Sequence, residues 1–96
     1  MLTHDFLIKA VKPVAEKYNL EKIDIFGSFA DGTATENSDV DFLVKFIAPV
    51  PSIFTVMGLR EELAIALDKS VDVITLPLTN PEYLKIKKRV NVYERA

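Results

Sequence analysis

Three aspartates and a Gly-Ser step are the residues of this sequence whose types and spacing suit chemistry. Asp39 and Asp41 stand two apart at the head of one apolar run, and Asp72 stands inside another, VDVITL. Side chains alternate across a strand, so Asp39 and Asp41 project from one face while Val40 and Phe42 project from the other. The same alternation sets Asp72 opposite Val71 and Val73, and an adjacent strand would bring it beside Asp41. Like charges about 4 Å apart repel by roughly 4 kcal/mol at an effective dielectric of about 20. Protonation of one acid, a Lys or Arg partner, or a hard divalent cation can offset that repulsion. Lys45 shares the face but lies too far along the strand to serve. An oxygen-only set of this kind suits Mg²⁺ or Mn²⁺, which take a few carboxylates and keep positions open for substrate phosphates. The plainer alternative is that the acids mark strand ends in water.

Gly27-Ser28 closes the preceding apolar run, IDIF. A glycine at a strand end lets the backbone approach a ligand closely, the amides that follow can face an anion, and Ser28 adds a hydroxyl donor. Other site types are missing. There is no G-x-x-x-x-G-K-[ST] or G-x-G-x-x-G run, and Val44 stands where an EF-hand loop beginning at Asp39 needs its glycine. With no cysteine, thiolate chemistry and disulfides are excluded. His4, the one histidine, reads as a surface residue near the first helix.

The elements that must position these residues follow from periodicity. Thr3 caps a helix with Leu7, Val11, Val14 and Tyr18 at helical spacing, and Pro13 predicts a kink or two short helices across residues 3–19. Ile23, Ile25 and Phe26 predict a short strand ending at Gly27, residues 31–38 a loop, and Asp39–Lys45 a second strand. Val56, Leu59, Leu63 and Leu67 mark a helix over roughly residues 53–68. Val71–Leu76 is a third, β-branched strand. Asn80-Pro81 predicts a last helix to about Val90, burying Tyr83, Ile86 and Val90. The expected fold class is a small α/β (α+β) unit, a mixed sheet of three or more strands packed against helices.

The 96 residues, 49% of them hydrophobic, can form one core, so a single domain over 1–96 is expected. No window approaches the roughly 20 apolar residues of a membrane span, and the N-terminus lacks a signal-peptide pattern, which predicts a cytoplasmic protein. A net charge of −2 carries no signal for nucleic-acid binding. The tail is nevertheless basic, with Lys85, Lys87, Lys88, Arg89 and Arg95.

Gly27-Ser28, then Asp39-x-Asp41, then Asp72 between apolar residues resembles the nucleotidyltransferase superfamily typified by DNA polymerase β. The stretch GSFADGTATENSDVDFLV and the bare α/β core look most like the minimal nucleotidyltransferases (MNT) found beside HEPN toxins. The resemblance implies that Asp39 and Asp41 hold two Mg²⁺ ions, that Asp72 helps hold one and activates the acceptor hydroxyl, and that Gly27 and Ser28 hold the triphosphate of ATP. It also implies transfer of AMP to a tyrosine of a HEPN ribonuclease toxin, which silences the toxin. The sequence departs from the family at Asp31, where a basic residue is common.

Three functions are therefore expected in order: an adenylyl-transferring antitoxin, a non-catalytic antitoxin that neutralises its partner by binding, and a nucleotide-binding regulatory subunit. So small a core needs a partner to present the acceptor. Tyr83, Ile86, Val90, Val92 and Tyr93, with Lys85, Lys87, Lys88 and Arg89, are the expected docking surface.

Overall fold

The computed structural model describes residues 3–47, 51–76 and 88–95. Helix α1 (His4–Lys17) starts where the Thr3 hydroxyl accepts the Phe6 amide at 3.1 Å. It is followed by strand β1 (Leu20–Phe26), a single turn of helix α2 (Ser28–Asp31), strand β2 (Val40–Phe46), helix α3 (Ile53–Leu67), and strands β3 (Val71–Thr75) and β4 (Arg89–Glu94). The sheet order is β3-β2-β1-β4. β1 runs antiparallel to both β2 and β4, and β2 runs parallel to β3. The fold class expected from the sequence is the one observed, a mixed sheet of four strands against helices.

The core lies between one face of this sheet and the long helices. Leu7, Val11 and Ala15 of α1 and Leu59, Leu63 and Leu67 of α3 meet Ile23, Ile25, Val40, Phe42 and Val44. Strand alternation then sends the odd-numbered partners in β2 to the opposite face, where Asp41, Leu43 and Lys45 lie. This is why a sheet with one greasy face can carry acids on the other without breaking its core.

Four expectations need correction. Pro13 sits inside one continuous helix, so the two short helices are not formed. Proline removes its own amide donor, but Pro13 is exposed while Leu7, Val11 and Ala15 anchor the opposite stripe, and packing there outweighs the missing bond. The loop expected from Asp31 begins instead at Gly32, which closes α2 in the left-handed conformation. The last helix was expected to reach Val90, yet Arg89 already belongs to β4, because Val90 and Val92 alternate with Arg89 and Asn91 at strand period. The rest of that helix, residues 80–87, lies outside the described residues. Val92 is core at 4% exposure, so it is not docking surface.

Candidate functional site

The strand register assembles the aspartates. Asp41 pairs laterally with Asp72 across the parallel β2–β3 ladder, and with Phe26, the last residue of β1, across the antiparallel one. Paired residues share a face, so the two carboxylates stand side by side on the face away from α1 and α3. Asp39 precedes β2 by one residue and is exposed, as is Asp72, whereas Asp41 is half-buried. Partial burial pushes the Asp41 carboxyl above the usual carboxylate range, and the charges of Asp72 and then Asp39 push it further. No cation relieves it among the described residues. Lys45 is engaged elsewhere, 2.7 Å from Glu21.

Gly27 closes against this pair. Its φ of +71° lies in the left-handed region, and a Cβ there would stand 2.5 Å from Asp41 Oδ2. Both backbone and space thus require glycine. The Gly27 carbonyl accepts from the amides of Ala30 and Asp31, each at 3.0 Å, and turns the chain into α2, whose first amides have no helical acceptor. The Ser28 carbonyl accepts three amides, those of Gly32, Thr33 and Ala34. The Gly-Ser step is therefore held rigidly at the mouth of the acid pair. Asp31 is turned to local use: its carboxylate accepts the Thr33 hydroxyl at 2.6 Å and the Thr33 amide at 3.0 Å.

One residue without any signal in the sequence ties these parts together. Lys69, just before β3, donates to the Glu36 carbonyl at 2.5 Å and the Ser38 carbonyl at 3.5 Å, and its ammonium lies 5.8 Å from the Phe29 ring centroid. It thereby pins the segment that delivers Asp39 to the helix that follows Gly27. Arg89 was also missed as a site neighbour. It pairs with Phe26 across β1–β4, in the same row and on the same face as Asp41 and Asp72. His4 is exposed, as expected, with Nε2 3.0 Å from the Phe29 carbonyl oxygen.

The donor set fits a hard divalent cation. Among the described residues no three acids or histidines close around a cation by themselves. The carboxylates instead form an open set, the arrangement in which Mg²⁺ keeps water and substrate phosphates as its remaining ligands. No helix among the described residues is long and apolar enough to cross a membrane.

Comparison with known proteins adds to this geometry. Residues 9–95 match the family model described as polymerase beta, nucleotidyltransferase. A candidate protein adenylyltransferase of Methanocaldococcus jannaschii is 36% identical over 81 residues, covering 84% of this chain and 82% of that one. Among solved structures, a toxin–antitoxin complex with AMP-PNP superposes with a TM-score of 0.76 at 24% identity, covering 98% of this chain and 75% of that chain. A complex of tri-AMPylated Shewanella oneidensis HEPN toxin with its MNT antitoxin superposes with a TM-score of 0.73 at 18% identity, covering 97% and 74%.

Proposed function

The chain belongs to the polymerase β nucleotidyltransferase family, and from that premise we propose that it is a metal-dependent protein adenylyltransferase. In this reading it transfers AMP from ATP to a hydroxyl, a tyrosine of a HEPN toxin partner, and so acts as an antitoxin. The observation that carries it is the lateral pairing of Asp41 with Asp72, with Gly27 closed against the same Asp41 carboxylate.

Each residue then has a task. Asp39 and Asp41 would hold the divalent cations, with Asp72 adding an oxygen to one of them. When bound, Mg²⁺ or Mn²⁺ supplies Lewis-acid polarisation of the phosphate oxygens and neutralises their charge. Gly27 admits the triphosphate to the backbone, and Ser28 donates to it. The hydroxyl oxygen of the acceptor attacks the α-phosphorus in line, and the bond from that phosphorus to the α–β bridging oxygen breaks. Pyrophosphate leaves with the bonding pair. Asp72, exposed at the rim, takes the hydroxyl proton. Positioning supplies much of the rate, and so small a core leaves the acceptor to be presented by the partner. The relatives support this reading: the Methanocaldococcus protein is named for protein adenylylation, and the Shewanella antitoxin is bound to an AMPylated toxin.

The test is co-expression with the HEPN-type protein of the neighbouring reading frame, followed by intact mass of the purified pair. The partner should gain one or more adenylyl groups, and Asp41→Asn should abolish the gain, by at least about 10³-fold in rate if several kcal/mol of transition-state stabilisation is lost. A stable pair without added mass, neutralised equally well by Asp41→Asn, would instead mark an antitoxin that acts by binding alone.

A further inference from the structure

The Gly27-Ser28 turn has two flanks, and only one of them is acidic. Along the row of the sheet at its mouth stand, in order, Asp72, Asp41, Phe26 and Arg89, one from each strand and all on the face away from the helices. Gly27 continues directly from Phe26, so the turn rises from the strand between Asp41 and Arg89. With strands about 4.8 Å apart, the α-carbons of Asp41 and Arg89 are roughly 10 Å from each other. A long arginine side chain shortens that gap at its tip.

Among the described residues, no carboxylate claims the cation on this second flank. Arg89 is exposed, and among the described residues it forms no ion pair. It shares a groove with Lys22, Asp24 and Asn91, but the Asp24 carboxylate is engaged by the Asn91 amide at 2.9 Å and by Lys22 at 3.5 Å. Lys88 is the neighbouring positive charge. The Asp31 carboxyl is held below its usual range first by the Thr33 hydroxyl, then by the Thr33 amide, and also by the charge of Lys88. Lys88 therefore stands within electrostatic reach of the end of α2, and α2 packs against β4.

We propose that Arg89, with Lys88 beside it, binds the β- and γ-phosphates of the incoming nucleoside triphosphate and holds the pyrophosphate as it leaves. This rests on the transferase reading above and adds the anion-binding flank of the same site. The nucleotide lies across the turn with its α-phosphate toward Asp41. Breaking the bond to the α–β bridging oxygen places a full extra negative charge on the departing group, on the side where the guanidinium stands. A planar guanidinium meets phosphate oxygens with two parallel N–H donors, which a lysine cannot reproduce. Position 31, at the end of α2, offers a carboxylate and no cation. In this molecule the positive charge reaches the turn from the strand on the other side.

Calorimetric titration with Mg²⁺ present separates this proposal from the one it rests on, using ATP and AMP as probes. Arg89→Gln should weaken ATP about tenfold or more, the loss of a charge-assisted contact, while AMP changes by less than about twofold. Lys88→Gln should weaken ATP by a smaller factor, and Arg89→Lys should fall between wild type and Arg89→Gln. Thermal melting of each variant near the wild-type midpoint would show that the fold is intact, as expected for an exposed residue on an edge strand. Equal ATP affinity in wild type and Arg89→Gln would overturn the assignment of Arg89 and leave the transferase reading standing. So would an equal weakening of ATP and AMP, or an unchanged ATP affinity with weaker capture of the protein partner, which would make the basic pair a docking element. A wild-type chain that binds no ATP in Mg²⁺ would overturn both.

Discussion

Asp24 and Asp41 occupy the same face of the same sheet, one row of paired residues apart, and they have opposite surroundings. Asp24 is 4% exposed and satisfied: the Asn91 amide donates at 2.9 Å and the Lys22 ammonium lies at 3.5 Å. Asp41 is less buried, yet its neighbours are two more carboxylates and a glycine that leaves the space beside Oδ2 unfilled. A buried acid with donors around it is a part of the fold. An acid held among like charges, with a cleared approach, is a fold that has left its electrostatics to be completed by a ligand. The difference between the two rows separates framework from site more sharply than burial alone.

The largest expected effect that tests this contrast is at Gly27. Gly27→Val places a branched side chain at a positive φ and against Asp41 Oδ2, so it should reduce adenylyl transfer by about 10²-fold or more, given strain of about 1–3 kcal/mol plus a blocked approach. Ser28→Ala loses one hydrogen bond to a charged group, about 1.5–3 kcal/mol, and should cost about tenfold to a hundredfold. Single-turnover rates on both variants decide the matter. Near-wild-type transfer by Gly27→Val would mean that the phosphates sit away from the turn and that the cleared space beside Asp41 has another purpose.

A smaller effect, on stability, should invert the order of the two acids. Asp24→Ala removes the carboxylate that accepts from the Asn91 amide and faces the Lys22 ammonium, leaving Asn91 only the Ile23 and Tyr93 carbonyls. Losing that charge-assisted bond costs about 1–3 kcal/mol, which lowers the melting midpoint by about 4–8 °C for each kcal/mol in a chain of this size. Asp41→Asn removes one of three mutually repelling charges and should leave the metal-free midpoint unchanged or higher. Melting curves in chelator give both numbers. If Asp41→Asn melts well below wild type while Asp24→Ala does not, the assignment of framework and site is reversed.

Which half of this contrast could be read from the sequence follows from how local it is. Asp39, Asp41 and the Gly27-Ser28 step lie within residues 25–44, and strand alternation alone places the acids on one face. Asp72 was reachable because an apolar strand after a helix is a parallel neighbour of the strand before it, and the register sets it opposite Asp41. The Asp24 row was not legible, since its partner Asn91 is 67 residues away and arrives through the antiparallel β1–β4 ladder. The same ladder carries Arg89 to the site. Tyr83, Ile86 and Val90 at helical spacing competed with the strand period of Val90 and Val92, and the helical reading hid the strand. Lys69 leaves no pattern at all, because its task is to bond carbonyls, which every residue has.

The smallest effect concerns protons, and its sign follows from the direction of the Asp41 shift. Burial, then Asp72, then Asp39 raise the folded carboxyl above its unfolded value of about 3.9. The fold therefore prefers the protonated form. The stability that Asp41 contributes is fully present below the unfolded value and is lost as pH rises through the folded one. Other groups titrate in the same range, so the useful quantity is the difference between wild type and Asp41→Asn. In chelator, wild type should lose stability relative to the variant as pH rises from about 4 to 7, by an amount small beside the Asp24→Ala loss because Asp41 is only half-buried. Saturating Mg²⁺ should reverse the trend, since a cation on the carboxylate favours its ionised form, and stabilisation by a bound ligand grows with its affinity. Asp24→Asn offers the control on the satisfied row, where Mg²⁺ should change nothing. A metal response equal at both positions would mean that the two acids differ in burial but not in kind.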